Sequence, residues 1–179
     1  MKAAARSKAE MNDLLGSRRV DHIVVLGANG AMGYGSGALF TSAGPRVTFL
    51  ARAKGKAEQG LKAAVHSVRS STVADRVDTG DYDGDFDAVV SKADMIFEAI
   101  TEDFDLKRTM FERVDRLRRP DSIVATVTSG LSINALAEGR SDSFRRHFLG
   151  LHFFNPPNVN SATNDASGTN VPTTYIIPG

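Results

Sequence analysis

Apolar residues follow two different spacings along the chain, and the two spacings alternate. Short runs rich in β-branched and aromatic residues are typical of buried strands, and they lie at 22–26, 47–50, 95–100, 122–126 and 148–151. Between them, the pattern predicts helices: one after the glycine turn, with an apolar stripe at 38–40, that stops near Gly44, and others at about 56–68, 86–92, 105–117 and 132–137. Strands that alternate with helices form parallel sheets with right-handed crossovers. The pattern predicts the α/β fold class, as a Rossmann-type doubly wound, mainly parallel sheet in a single domain.

The alternation covers only the middle of the chain. Residues 21–157 carry it and form the predicted domain. Residues 1–20 read as an N-terminal helical lead, and no secretory signal is recognisable in them. Residues 158–179 begin with a stretch rich in Ser, Thr, Asn and Gly and end on an apolar segment. They are therefore predicted to form a flexible loop followed by a terminal strand.

Three glycines directly follow the first predicted strand, spaced G-x-x-G-x-x-G from Gly27 to Gly33. In a strand-turn-helix unit, one glycine permits the tight bend, one lets the backbone approach a pyrophosphate, and one lets the helix pack close to the strand. The helix N-terminus then offers free N–H groups to the phosphates. This turn therefore predicts a dinucleotide site, and its predicted cofactor-binding residues are Gly27, Asn29, Gly30, Ala31, Met32 and Gly33.

The end of the second strand departs from the usual dinucleotide fingerprint. An Asp or Glu commonly binds the adenosine ribose there, but this chain has Ala51-Arg52, and its glycine loop is one residue longer than G-x-G-x-x-G. Arg52 could bind a 2′-phosphate through two hydrogen bonds, so NADP is an alternative to NAD. Equally, Arg52 with Lys54 and Lys56 could be the solvated start of a helix.

Composition narrows the class of protein. The chain has 179 residues, 41% of them hydrophobic, and a formal net charge of +1. Its apolar runs are too short for a membrane helix, and the balanced charge argues against nucleic-acid or membrane-surface partners. The absence of cysteine excludes disulfides and thiol chemistry within the chain and is compatible with the cytoplasm, where we expect the protein.

An acidic stretch from Asp78 to Asp87 resembles a calcium loop only superficially. Aligned on Gly84, the first ligand position is Thr79 and the twelfth is Val90, where an EF-hand requires Asp and Glu. We therefore expect a solvated acidic turn that leads into a helix, and we predict no metal site.

Polar residues follow several of the predicted strands. Glu102 comes after the third predicted strand, Ser129 after the fourth and His152 after the fifth. Ligands bind beyond the carboxyl ends of parallel strands, where the glycine turn also lies. We therefore expect these groups to converge on one catalytic site.

Three motifs together resemble the NAD-binding domain of 3-hydroxyacyl-CoA dehydrogenases of the fatty-acid oxidation type. They are the glycine turn, the block from Phe97 to Asp103 with Lys107, and the segments at 128–131 and 151–156, which read T-S-G-L and L-H-F-F-N-P. The resemblance covers about 21–157.

The resemblance implies roles for individual residues. His152 would be the general base that removes the proton of the 3-hydroxyl group, and Ser129 would bind the substrate oxygen. Both are the predicted catalytic residues. Glu102 and Lys107 would touch the nicotinamide-side ribose, with Ala99 and Ile100 of the same block also in the cofactor site.

The chain departs from this family at three places. Val127 stands where the family usually has Asn, and Tyr175 stands where a Glu usually orients the catalytic histidine. The chain also ends at Gly179, before the helical C-terminal domain that in the family builds most of the acyl-CoA pocket and the homodimer contact. We therefore expect weak or no turnover of acyl-CoA by this chain alone.

The function that follows is hydride transfer between a nicotinamide cofactor and 3-hydroxyacyl-CoA or 3-oxoacyl-CoA in fatty-acid β-oxidation. Two alternatives stay open. One is a non-catalytic dinucleotide-binding module, which Val127 and Tyr175 favour. The other is an NADP-dependent dehydrogenase of small hydroxy acids, which Arg52 and the longer loop favour.

Overall fold

The computed structural model describes residues 19–68, 71–153 and 174–178, with only the backbone described at 71, 72, 152, 153 and 174–178. The N-terminal helix and the loop expected at 158–170 lie outside these ranges. No helix among the described residues is long and apolar enough to cross a bilayer.

Strands and helices alternate along the described chain. The strands are β1 His22–Leu26, β2 Arg46–Ala51, β3 Val77–Asp81, β4 Met95–Glu98, β5 Ile123–Thr126, β6 Phe148–Phe153 and β7 Thr174–Pro178. The helices are α1 Ala31–Ser42, α2 Lys54–Val68, α3 Phe86–Val90, α4 Phe104–Leu117, α5 Ile133–Ala137 and α6 Asp142–His147, with a 3-10 helix at Ser71–Arg76.

All these strands form one sheet in the order β3-β2-β1-β4-β5-β6-β7. The first six are parallel, and β7 pairs antiparallel to β6 at the edge. Strand order reverses direction between β1 and β4, which creates a crevice at their carboxyl ends. The doubly wound, mainly parallel sheet predicted from the sequence is confirmed.

Each face of the sheet is covered by its own apolar cluster. On one face, α1 and α2 pack on alternate residues of β1, β2 and β4, with Phe49 and Phe97 fully buried. On the other, α3, α4, α5 and α6 cover the residues between them, with Phe111 and Phe144 at the centre. Because both faces are buried, the strands read as continuous apolar runs, which is why the sequence revealed them.

The expectation for the acidic stretch was wrong over its first residues. Val77–Asp81 is not a turn but strand β3, which pairs with β2 alone at the edge of the sheet. Only Val77 and Gly80 of this strand are buried, so it lacks an apolar run that would identify it. The turn itself follows at 82–85, where Asp81 Oδ1 accepts hydrogen bonds from the N–H groups of Asp83 and Gly84. Helix α3 ends at Val90, short of the predicted Lys92.

Two helices approach the strand β1 turn so closely that only glycine fits at the contacts. A Cβ atom on Gly33 of α1 would lie 2.3 Å from the Gly27 carbonyl oxygen. A Cβ atom on Gly60 of α2 would lie 2.2 Å from the Ala28 carbonyl oxygen. Since backbone atoms cannot move aside cheaply, these glycines set the distance of both helices from the turn.

We predict opposite effects of two Gly→Ala substitutions in the same helix. Gly60→Ala should lower the free energy of unfolding by about 2 kcal/mol or more, because its methyl group overlaps backbone. Gly55→Ala meets no atom within 4 Å and should be neutral or raise it by up to about 1 kcal/mol. Urea denaturation of both variants measures the difference. Equal stability of the two variants would show that α2 does not press on Ala28.

Candidate cofactor and active site

The turn after β1 is fixed from three sides at Gly27. Its φ of +80° lies in the left-handed region, which favours glycine. A Cβ atom there would lie 2.4 Å from the carbonyl oxygen of Ala99, at the end of β4. The Gly27 N–H donates both to the Leu50 carbonyl oxygen, at 3.1 Å, and to the Tyr82 hydroxyl oxygen, at 2.8 Å. The turn therefore sits in the crevice between β1 and β4 and cannot shift without breaking these contacts.

Gly30 differs from Gly27 and Gly33 because the protein itself leaves room for a side chain there. Its φ of −83° is ordinary for any residue. The nearest atom to an added Cβ would be the Gly27 carbonyl oxygen at 3.5 Å, an ordinary contact distance. Packing and backbone conformation thus do not explain why this position is glycine. A ligand that approaches the backbone closely does explain it.

Helix α1 begins at this point with Gly30 as its N-cap residue and without a side-chain cap. Gly30 supplies no side-chain hydrogen bond to the first turn, and the first turn holds no acidic residue. The first N–H groups of a helix have no partner inside the helix, and no described group outside it accepts from those of Ala31, Met32 and Gly33. They point outward with the positive end of the helix dipole. Asn29 and Ala31 are exposed and Met32 is half-buried. This end of α1 fits the negatively charged phosphates of a dinucleotide.

Arg52 lies directly after β2 and is exposed. Its charge acts on Tyr82, whose hydroxyl oxygen contacts Gly27, so Arg52 lies on the β2 side of the same turn. No described residue forms an ion pair with Arg52. Its guanidinium group is therefore free to contact a ligand that extends past the end of β2.

A buried ion pair lies beneath the crevice at the end of β4. The side chains of Glu98 and Lys107 are both 0% exposed, and Lys107 Nζ donates to Glu98 Oε1 at 2.6 Å. Glu98 also accepts hydrogen bonds from the Ile100 N–H, at 2.7 Å, and from the Thr126 hydroxyl group. The ion pair thus joins β4, the loop after it, helix α4 and β5.

Burial raises the pKa of Glu98 above its usual range, and the charge of Lys107 is the largest influence against it. Hydrogen bonds from Lys107, Thr126 and the Ile100 N–H also favour the charged form. A carboxylate surrounded by donors in this way depends on every one of them, because no water replaces a lost partner.

Glu102 connects this pair to the loop that carries Ser129. Its Oε1 accepts three hydrogen bonds, from the Thr128 hydroxyl group and from the N–H groups of Ser129, at 3.0 Å, and Gly130, at 3.1 Å. Its Oε2 lies 3.4 Å from Lys107 Nζ, and 43% of its side chain is exposed. Burial raises the pKa of Glu102, but the hydrogen bonds from Thr128, Gly130 and Ser129 and the charge of Lys107 outweigh it, and the pKa lies below its usual range. Glu102 is therefore a charged group that fixes the backbone around Ser129.

Lys107 occupies a different place from the one its predicted role suggests. Its Nζ lies between Glu98 and Glu102 and also donates to the Ile100 carbonyl oxygen at 3.3 Å. Lys107 has no exposed surface, and Glu102 is the partly exposed member of its charged contacts. Ala99 and Ile100 are half-buried, and their backbone lies beside Gly27 of the glycine turn. Their contact with a cofactor stays a prediction.

His152 is a residue of β6, and its backbone pairs with that of Tyr175 in β7. Two residues earlier in β6, Gly150 pairs with Thr126 at the end of β5. The chain position of His152 is therefore next to the loop that carries Ser129. The side chains of His152 and Tyr175 are outside the described part of the structure, so the meeting of the imidazole with Ser129 stays a prediction.

Sequence reasoning missed three residues that organise this site. The sequence did contain a signal for Glu98, because a carboxylate inside an apolar strand requires a buried partner. Thr128 accompanies Ser129 in the T-S-G motif but gave no sign that it would donate to Glu102. Tyr82 gave no local signal, because its contact with Gly27 spans 55 residues of sequence.

Comparison with known proteins agrees with this geometry. Residues 22–162 match the family described as "3-hydroxyacyl-CoA dehydrogenase, NAD binding domain". A probable 3-hydroxyacyl-CoA dehydrogenase of Bacillus subtilis is 49% identical over 67 residues, which are 37% of this chain and 8% of that protein. The human mitochondrial hydroxyacyl-coenzyme A dehydrogenase is 29% identical over 151 residues, 76% of this chain and 47% of its own length.

Among solved structures, the (S)-3-hydroxybutyryl-CoA dehydrogenase PaaH1 of Ralstonia eutropha is similar, with a TM-score of 0.69 and 25% identity. The match covers 77% of this chain and 50% of that one. The dehydrogenase part of a multifunctional enzyme of Caenorhabditis elegans has a TM-score of 0.67 and 26% identity, and covers 79% and 34%. This chain thus spans half or less of the length of these relatives.

We predict that Lys107→Met destabilises the domain strongly. It leaves Glu98 buried without its ammonium partner, so the free energy of unfolding should fall by about 3–5 kcal/mol. Lys62→Met, at an exposed position of α2, should change it by less than about 0.5 kcal/mol. The double variant Glu98→Gln/Lys107→Met should be more stable than Lys107→Met, because it removes the unpaired charge. Denaturant titration of the three variants tests this. Similar stability of Lys107→Met and Lys62→Met would contradict it.

Proposed function

This chain belongs to the 3-hydroxyacyl-CoA dehydrogenase family through its NAD-binding domain, and we propose that it binds NAD across the Gly27–Gly33 turn for the oxidation of 3-hydroxyacyl-CoA. The reverse reaction reduces 3-oxoacyl-CoA. The observation that carries the proposal is Gly30, a glycine that neither packing nor backbone conformation requires, at the start of α1, which has no side-chain cap.

The residues present divide the work of binding. The N–H groups at 31–33 would hold the pyrophosphate, and the absence of a side chain at Gly30 lets it come close. Glu102, whose side chain is 43% exposed, would contact the ribose next to the nicotinamide. The hydrogen bonds from Thr128, Gly130 and Ser129, together with the charge of Lys107, keep that carboxylate charged and in place. When bound, NAD supplies the acceptor for the hydride that leaves the substrate carbon.

Ser129 and His152 are the residues that would contact the 3-oxygen of the substrate. We propose that the Ser129 hydroxyl group donates a hydrogen bond to the 3-oxygen and that His152 accepts the proton of the 3-hydroxyl group. A neutral imidazole suits this role because its usual pKa is close to neutrality. Glu102 supports Ser129 by holding the backbone N–H groups of Ser129 and Gly130.

The acyl-CoA pocket is a further proposal. The relatives extend well beyond the part that this chain matches. We propose that a helical C-terminal domain completes the acyl-CoA pocket and also forms a homodimer contact. A role in fatty-acid β-oxidation and a place in the cytoplasm belong to the same proposal. The family match favours acyl-CoA substrates over small hydroxy acids.

A substitution at Gly30 tests the proposal. Gly30→Ala should weaken NAD binding about tenfold or more, because the methyl group occupies the space next to the pyrophosphate. It should lower the free energy of unfolding by no more than about 1 kcal/mol, the cost of alanine at a helix N-cap. Gly55→Ala serves as the control and should bind NAD as tightly as the unaltered chain. Isothermal titration calorimetry gives the affinities.

Two results would overturn the proposal. One is an unaltered chain that binds neither NAD nor NADP. The other is a Gly30→Ala variant that binds NAD with unchanged affinity, since the pyrophosphate would then lie elsewhere.

Arg52 supports NADP as a second candidate cofactor. It is exposed directly after β2, has no ion-pair partner among the described residues, and β2 itself carries no acidic side chain at its end. The nearest acidic residue in the sheet is Asp81 of β3, which pairs with Ala51 and whose Oδ1 accepts hydrogen bonds from the Asp83 and Gly84 N–H groups. Charge-assisted contacts of this kind contribute about 1.5–3 kcal/mol each.

We therefore predict that Arg52→Asp shifts cofactor preference. Its affinity for NADP relative to NAD should fall about tenfold or more, since the contact is replaced by charge repulsion. Lys56→Asp makes the same charge change on the exposed start of α2 and should shift the ratio much less. Calorimetric titration with both cofactors measures the ratio. An unchanged ratio in Arg52→Asp would identify Arg52 as part of a solvated helix start.

A further inference from the structure

Tyr82 reaches across the end of the sheet to the glycine turn. It directly follows β3, and its N–H donates to the Ala51 carbonyl oxygen, at 3.1 Å, at the end of β2. Its own carbonyl oxygen accepts a hydrogen bond from Arg113 at 2.9 Å, and its ring packs edge-on against Phe86. The phenol thus passes over β2 to Gly27, at the end of β1, with its backbone and ring held firmly.

The O–H donor of Tyr82 has no acceptor among the described residues. Its oxygen accepts the Gly27 N–H at 2.8 Å. No described residue accepts the proton of the hydroxyl group itself. Tyr82 is only half-buried, so that proton can be directed to a ligand in the crevice. Burial raises the pKa of Tyr82 to about 12, against the opposing effect of the Gly27 N–H, and the phenol therefore keeps its proton at neutral pH.

The position of this donor matters because β2 ends without a carboxylate. Dinucleotide-binding domains commonly bind the adenosine ribose through an acidic side chain at the end of the second strand. Here that place holds Ala51 and Arg52, and neither side chain offers a hydrogen-bond acceptor to a ribose hydroxyl group. Tyr82 is bonded to Ala51 through its backbone and presents a group that can both donate and accept.

We propose that the Tyr82 hydroxyl group binds the adenosine ribose of the dinucleotide, in place of the acidic residue that β2 lacks. It holds the Gly27 N–H as an acceptor and donates its proton to a ribose hydroxyl oxygen. The proposal rests on the proposed function, since it names one contact of the same cofactor. It also gives the phenol a role different from that of Arg52, which would act only on a 2′-phosphate.

The variant Tyr82→Phe removes the hydroxyl group and keeps the ring on Phe86 and both backbone hydrogen bonds. NAD is compared with its 2′-deoxyadenosine and 3′-deoxyadenosine analogues by isothermal titration calorimetry, on the unaltered chain and on Tyr82→Phe. Tyr34→Phe is the matched control, because Tyr34 is a half-buried tyrosine whose hydroxyl group has no partner among the described residues.

Four results are expected. Tyr82→Phe should bind NAD about fivefold or more weakly, the effect of losing one neutral hydrogen bond. The unaltered chain should lose a similar factor with one of the deoxy analogues. Tyr82→Phe should bind that analogue and NAD equally well, because the partner of the missing hydroxyl group is already gone. Tyr34→Phe should keep the discrimination of the unaltered chain.

Other results distinguish a failure of the proposed dinucleotide binding from a failure of the Tyr82 contact alone. If the unaltered chain binds no dinucleotide, the proposed function and this contact are both wrong. If it binds NAD, and Tyr82→Phe weakens NAD and both analogues by one common factor, Tyr82 only supports the turn and the ribose contact is wrong. Unchanged NAD affinity in Tyr82→Phe overturns it as well.

Discussion

The close backbone packing around the turn after β1 is the constraint on which the rest of the site depends. Gly27 lies against the Ala99 carbonyl oxygen, Gly33 against the Gly27 carbonyl oxygen, and Gly60 against the Ala28 carbonyl oxygen, with no room for a Cβ atom at any of them. These contacts bring β1, β4, α1 and α2 together at one point. As a result the start of α1, which has no side-chain cap, is presented at the crevice in a fixed position.

A second constraint comes from charge. The buried pair of Glu98 and Lys107 cannot separate without leaving a charge in the apolar interior. Lys107 also approaches Glu102, and Glu102 holds the loop of Ser129 by three hydrogen bonds. Buried ion pairs contribute little net stability compared with apolar residues of the same volume. We infer that this one serves geometry, because it connects the turn at the end of β4 to the loop after β5.

The sequence was sufficient for those parts of the fold that are buried on both faces. The strands β1, β2, β4, β5 and β6 are short apolar runs, and the glycine turn follows β1 directly, so local pattern located them. The sequence pattern did not predict strand β3, because an edge strand with one neighbour needs few apolar residues. The same limit applies to Tyr82 and Thr128, whose roles arise from contacts between strands that lie far apart in sequence.

For Lys107, the sequence indicated the residue but not its buried contact with Glu98. The motif around it pointed to the cofactor site, yet periodicity alone does not reveal that its side chain turns inward to Glu98. Recognising that required the sheet order, which brings β4 beside β5 and helix α4 over both.

The central claim is that a dinucleotide pyrophosphate lies on the N-terminus of α1. The most direct measurement is the titration of ¹⁵N-labelled protein with NAD, followed through the backbone amide resonances by nuclear magnetic resonance. We predict that the amide resonances of Gly30, Ala31, Met32 and Gly33 shift most and that their shifts saturate with the affinity measured by calorimetry. Saturable binding of NAD that leaves these four amides unshifted would contradict it.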